Sequence, residues 1–223
     1  HGLAQKAGNA ASATCADCHG THDVFPHGSE RSLTHFSKLA VTCGGCHDQA
    51  AADLAASVHG KALAAGERDA PTCTDCHSEH RIRSLNGSEA SLVSTEACSV
   101  CHASEKINSR LRLPADRVQT FFDSYHGLAT KGGSTTAANC ASCHGYHLIL
   151  PSTDPESMIH PAQLTTTCGK CHPGAGENFV TDKIHANGGD NSLGSVINRW
   201  VRRIYIILIV ATVGLLSLHN GIA

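Results

Sequence analysis

Apolar positions are spread unevenly along this chain. Residues 204–218, IYIILIVATVGLLSL, carry no charge, and no comparable run precedes them. Those 15 residues fall short of the ~20 that a membrane-spanning helix needs. Continued to Ala223, the stretch reaches about 30 Å at ~1.5 Å per residue. A transmembrane helix is therefore expected over 199–223, with Trp200 and Tyr205 at the interface and Arg199, Arg202 and Arg203 among the headgroups. The polar stretch ANGGDNSLGS separates it from everything upstream.

Elsewhere the apolar residues come in short segments: AAADLAASVHG, RVQTFFDSYHG and GENFVTDKIHANG. Val58, Tyr125 and Ile184 directly precede a histidine, Leu54 and Phe121 lie five positions before it, and Phe179 and Val180 fall near that place in the third copy. This spacing predicts a short helix in each case, delivering His59, His126 and His185, with Gly60 or Gly127 as a stop just past its end.

The fill for a core is less obvious. Of 223 residues, 41% are hydrophobic, enough for one or two globular domains, but only 4% are aromatic. Something other than large side chains must occupy the interior. The unusual counts are 12 Cys and 17 His, and every cysteine falls in one of six C-x-x-C-H motifs. These are CADCH at 15–19, CGGCH at 43–47, CTDCH at 73–77, CSVCH at 98–102, CASCH at 140–144 and CGKCH at 168–172.

Three chemistries use paired cysteines: disulfides, thiolate zinc sites and thioether attachment of c-type haem. The first two put no constraint on the residue after the second cysteine. With 17 histidines in 223 residues, a His there in all six copies is no compositional accident. The spacing lets Cys15 and Cys18, Cys43 and Cys46, Cys73 and Cys76, Cys98 and Cys101, Cys140 and Cys143, and Cys168 and Cys171 each hold one porphyrin edge. His19, His47, His77, His102, His144 and His172 then reach the proximal side of each iron. Six covalently attached c-type haems would also supply the missing apolar fill.

The motifs repeat as a unit. His1, His59 and His126 each open an HG dipeptide 14 residues before Cys15, Cys73 and Cys140. In each copy the first motif is followed by x-x-His, giving His22, His80 and His147, and a second motif closes the unit. The predicted organisation is a dihaem module over 1–47, a helix plus module over 48–102, a linker helix plus module over 103–172, a helix with His185 and a linker over 173–198, and the apolar helix. The fold class expected is mostly irregular chain with short α-helices.

Met158 is the only methionine, so imidazole must fill nearly every sixth position. Two ligand schemes remain open. One uses His1, His59, His126, His22, His80 and His147; the other replaces His1 by His185. His35 and His160, each eight residues before a second motif, rank below these because Ala90 stands at that place in the middle module. His27 and His219 read as solvent-exposed and interfacial residues. Bis-His irons bind no substrate, so the chain reads as an electron carrier without catalytic residues. A multihaem reductase with one open haem site, a conductive filament subunit, and a cytochrome subunit of a larger respiratory or photosynthetic complex stand as alternatives.

With these residues in place, the chain resembles the membrane-anchored periplasmic multihaem cytochromes c of respiratory bacteria. Its tail is similar to the front of fusions in which such a domain precedes a membrane cytochrome b. The resemblance implies a location on the periplasmic face of the bacterial cytoplasmic membrane, on the same side as the three arginines; a long translocated domain overrides the usual cytoplasmic preference of arginine. It implies redox-protein partners, with a cytochrome b or a quinol-oxidising subunit at the membrane, and no nucleic acid. The formal charge of −2, made more acidic by haem propionates, suits a basic docking face on the partner. The natural chain is expected to continue before His1 and after Ala223.

Overall fold

The computed structural model describes residues 1–82, 89–181, 184–186 and 193–222. Among these residues all regular structure is helical, the segments are short apart from the last, and there is no β-strand. Two local patterns, each used repeatedly, account for most of it.

The first is a five-residue helix on the first motif of each module: Cys15–His19, Cys73–His77 and Cys140–His144. A helix this short is not stable alone, so its ends must be tied. Thr14 and Thr72 donate their backbone N–H groups to Asp17 and Asp75, both at 2.7 Å, and Asn139 donates to the Ser142 hydroxyl at 3.2 Å. These are capping boxes. At the other end the chain must turn sharply away. Gly20 (φ 81, ψ 179) and Gly145 (φ 77, ψ 179) do so in a region that side chains avoid. The middle copy places Ser78 there, at φ 63 and ψ 177. The second motifs lie instead at the C-terminal ends of Leu39–Gly44, Glu89–His102 and Leu164–Gly169.

The second pattern is a corner between two helices. Asp48–Ala56 gives way to Val58–Ala64, and Arg117–Phe122 to Tyr125–Lys131. Ser57 and Ser124 turn each corner: the hydroxyls donate to Leu54 O and Phe121 O at 2.6 Å and accept from the N–H of Gly60 and Gly127 at 3.1 and 3.2 Å. The expected role of the glycines is therefore corrected. Gly60 and Gly127 do not stop a helix; they lie in the first turn of a new one. A Cβ on Gly60 would sit 2.0 Å from Leu54 O, and one on Gly127 would sit 2.1 Å from Phe121 O. Only glycine lets the histidine-bearing helix approach so closely.

The fourth histidine of this series is carried differently. Residues 173–181 and 184–186 form turns, so His185 stands on no helix, contrary to the periodicity. Pro173, Gly174 and Gly176 explain why a helix does not start there. The polar linker at 187–192 and Ala223, where the expected span ends, lie outside the described residues.

Contacts between modules are few and mostly polar. Val58 N–H donates to Ile149 O at 2.9 Å, Ser94 Oγ donates to Asn139 Oδ1 at 3.3 Å, and Arg110 bridges Glu67 and Asp69. Asn108 is buried and donates to His102 O at 2.8 Å. Apolar packing is scarce: among the described residues the buried hydrophobic ones are Ala70, Phe121 and Leu150. The chain exposes 15697 Å², where a compact protein of 23.3 kDa would expose ~9,700 Å². The apolar tail accounts for part of the excess, and the sparse packing of the short helices goes with the rest.

That tail is one helix, Leu193–Ile222, of 30 residues and about 45 Å. It begins six residues before the expected start, so Trp200 and the arginines are helical, and Arg203 lies over the Trp200 ring at 5.4 Å. Its apolar stretch is wholly exposed, and the helix is long and apolar enough to anchor the protein in a membrane.

Candidate functional site

Within each motif helix the two cysteines are three residues apart and the histidine follows at four. The helical repeat brings all three side chains to one face. The twelve thiols are all free, with no disulfide among them. Successive motifs sit side by side in sequence order. Cys18 lies near Cys43 and Cys46, Cys43 near Cys73, and Cys76 near Cys98 and Cys101. Cys98 lies near Cys140, and Cys143 near Cys168 and Cys171. Burial pushes the Cys43 and Cys76 thiols up to about 11, so as thiols they are neutral and unreactive.

The six motif histidines each face one further histidine. His47 faces His1 with ring centroids 5.8 Å apart, His19 faces His80 at 6.1 Å, and His102 faces His59 at 6.2 Å. His77 faces His147 at 5.9 Å, His172 faces His126 at 6.0 Å, and His144 faces His185 at 6.2 Å. Every motif histidine is used once. His19 and His80, parallel to within 8°, stand at 6.1 Å, beyond the ~4 Å of rings in face-to-face contact.

The fit of a metal between them can be tested by length. An imidazole nitrogen binds a metal at about 2 Å, and the ring centre lies ~1 Å behind it, so two rings on opposite sides of one ion stand ~6 Å apart. All six pairs meet that spacing. Among the described residues no group of three or more His, Cys, Asp or Glu side chains gathers as around a metal, and each pair offers two imidazole donors. The residues present therefore fit an iron whose other four ligands come from a porphyrin.

Electrostatics favour the same use. Burial holds His59, His77, His102, His126, His144 and His185 below the usual histidine range, which keeps the rings neutral and their lone pairs available. His185 is also oriented. The Thr120 hydroxyl donates to Asp116 O at 2.7 Å, so it accepts from His185 Nδ1–H at 3.1 Å, and Nε2 is left as the ligating atom.

The histidine pairs coincide with neither ligand scheme: His1 and His185 both face motif histidines, and His22 faces none of the six. The order is regular. The HG histidines His1, His59 and His126 face the second motif of their own module, while His80 and His147 face the first motif of the module before. His185 takes that second role for His144, which has no later module to serve it. His22 is exposed, with its Nδ1 3.2 Å from the Thr21 hydroxyl. His35 is buried against Phe36 and hydrogen-bonds Ser37, and His160 accepts from Ala162 N–H, so both hold local structure. Of the seven candidate distal histidines, six face a motif histidine and His22 does not, an order that only the folded chain shows.

Comparison with known proteins returned no match: no family model, curated protein or solved structure corresponds to this chain.

Proposed function

We propose that this chain is a membrane-anchored electron-transfer cytochrome c holding six bis-histidine haems in a row. The observation that carries the reading is that each C-x-x-C-H histidine faces one other histidine at the spacing a single metal ion requires. Bound haem would supply a one-electron couple at each iron. The cysteines would hold the ring by two thioethers, and the paired imidazoles would occupy both axial positions. That leaves no place for a small substrate, which disfavours a reductase. The rigid caps and corners keep ligand geometry constant between oxidation states, so little reorganisation opposes transfer.

The line of motifs gives electrons a route in sequence order. His185 lies eight residues before the apolar helix, which supports a third module at the membrane end of the chain. There a quinol-oxidising or cytochrome b-type subunit is the fitting donor or acceptor, and the first module would meet a periplasmic redox protein. The test is spectroscopic. Six haems per chain are expected, all low-spin and silent to carbon monoxide when reduced. A colourless or zinc-loaded protein overturns the proposal, and a native high-spin haem turns it into a reductase.

A further inference from the structure

We propose that His22 and the segment behind it form half of an intermodule joint that completes a c-type haem iron lying outside residues 1–223. The inference rests on the six-haem reading above and extends it to a seventh iron. It follows from the order of the pairs: a histidine three places after a first motif serves the first motif of the preceding module, as His80 does for His19 and His147 for His77. His22 occupies that position in module one. A second copy of this chain has no vacancy to offer, because all six of its motif histidines already face a partner.

A second feature marks the same face. Where modules two and three join, the residues behind the histidine dock: Ile149 O accepts from Val58 N–H at 2.9 Å, and Leu150 is buried. At the same spacing behind His22 come Val24, Phe25 and Pro26, matching Ile149, Leu150 and Pro151. Val24 is 57% exposed. The docking elements are thus present and undocked. Beside them is a cleft of about 510 Å³ lined by His22, Phe25 and Leu33, with Arg31 and Lys38 at hand to pair with haem propionates. As Nδ1 of His22 is engaged by Thr21, Nε2 is the free ligating atom.

The experiment uses the haem-loaded protein and, as probe, a short peptide carrying one c-type haem on a single C-x-x-C-H with its sixth position open. The native protein should convert one equivalent of the probe to a low-spin spectrum. His22→Ala should weaken this about 10–100-fold, while His27→Ala should bind like the native protein. Equal binding by His22→Ala overturns the proposal. In His22→Ala the chain's own six haems should stay low-spin; a new high-spin haem among them would show that His22 serves its own chain, and would overturn it equally. Failure of the six-haem reading would appear separately, in the native protein before any probe is added. In the source cells, His22→Ala should create one high-spin haem, on the same polypeptide if the iron belongs to a preceding module and on a co-purifying cytochrome if it belongs to a partner. No such haem in either place refutes the joint.

Discussion

Gly127→Ala tests whether close helix contact sets a ligand position. The new Cβ would lie 2.1 Å from Phe121 O and 2.6 Å from Phe122 Cα, whereas ordinary contact begins at 3.4 Å. The helix Tyr125–Lys131 must therefore back away by about 1.3 Å. The preceding helix is held in place by the buried Phe121 and by the hydrogen bond between Thr120 and His185. His126 rides on the moving helix and faces His172 at 6.0 Å, a span that iron bonds of about 2 Å bridge with nothing to spare. The haem on Cys168 and Cys171 should lose its sixth ligand and bind carbon monoxide while the other five stay silent. Crowding should also cost roughly 1–3 kcal/mol of stability. Gly169→Ala, in the motif of that same haem but with nothing within 4 Å of its Cβ, should change neither property. A Gly127→Ala protein with six low-spin haems and unchanged melting would refute the reasoning.

Ser78→Gly relieves a side chain held at φ 63 and ψ 177, where strain costs about 1–3 kcal/mol, so the melting temperature should rise by ~2–4 °C for each kcal/mol recovered; an unchanged or lower value counts against it. Thr120→Val removes the acceptor for His185 Nδ1–H and should loosen one distal ligand about 10–100-fold, read as carbon monoxide competition at the haem of His144 and no other. His80→Ala should open the haem of the preceding module: its high-spin signal should vanish when Cys15 and Cys18 are also replaced, and survive replacement of Cys73 and Cys76. Deleting 193–223 should release the protein from membranes into the soluble fraction, and retention after deletion would deny the anchor role.

The six C-x-x-C-H spacings and the apolar run that could anchor the chain were legible in the sequence. Twelve cysteines in six identical spacings and an uncharged apolar run are local facts, and their meaning does not depend on how the chain folds. The capped motif helices were also implicit, since Thr14 and Asp17, or Thr72 and Asp75, lie within one turn of each other. Tertiary structure decided the rest. His80 and His19 are 61 positions apart, and no pattern along the chain says that one crosses to the neighbouring module while His22, in the same local context, does not. Gly60 and Gly127 looked like helix stops because a stop is the local use of glycine; their actual role depends on a carbonyl six residues back, brought close by the serine corner. Short-range chemistry fixes what each residue can bind, but the choice among equivalent histidines is made by which modules pack together.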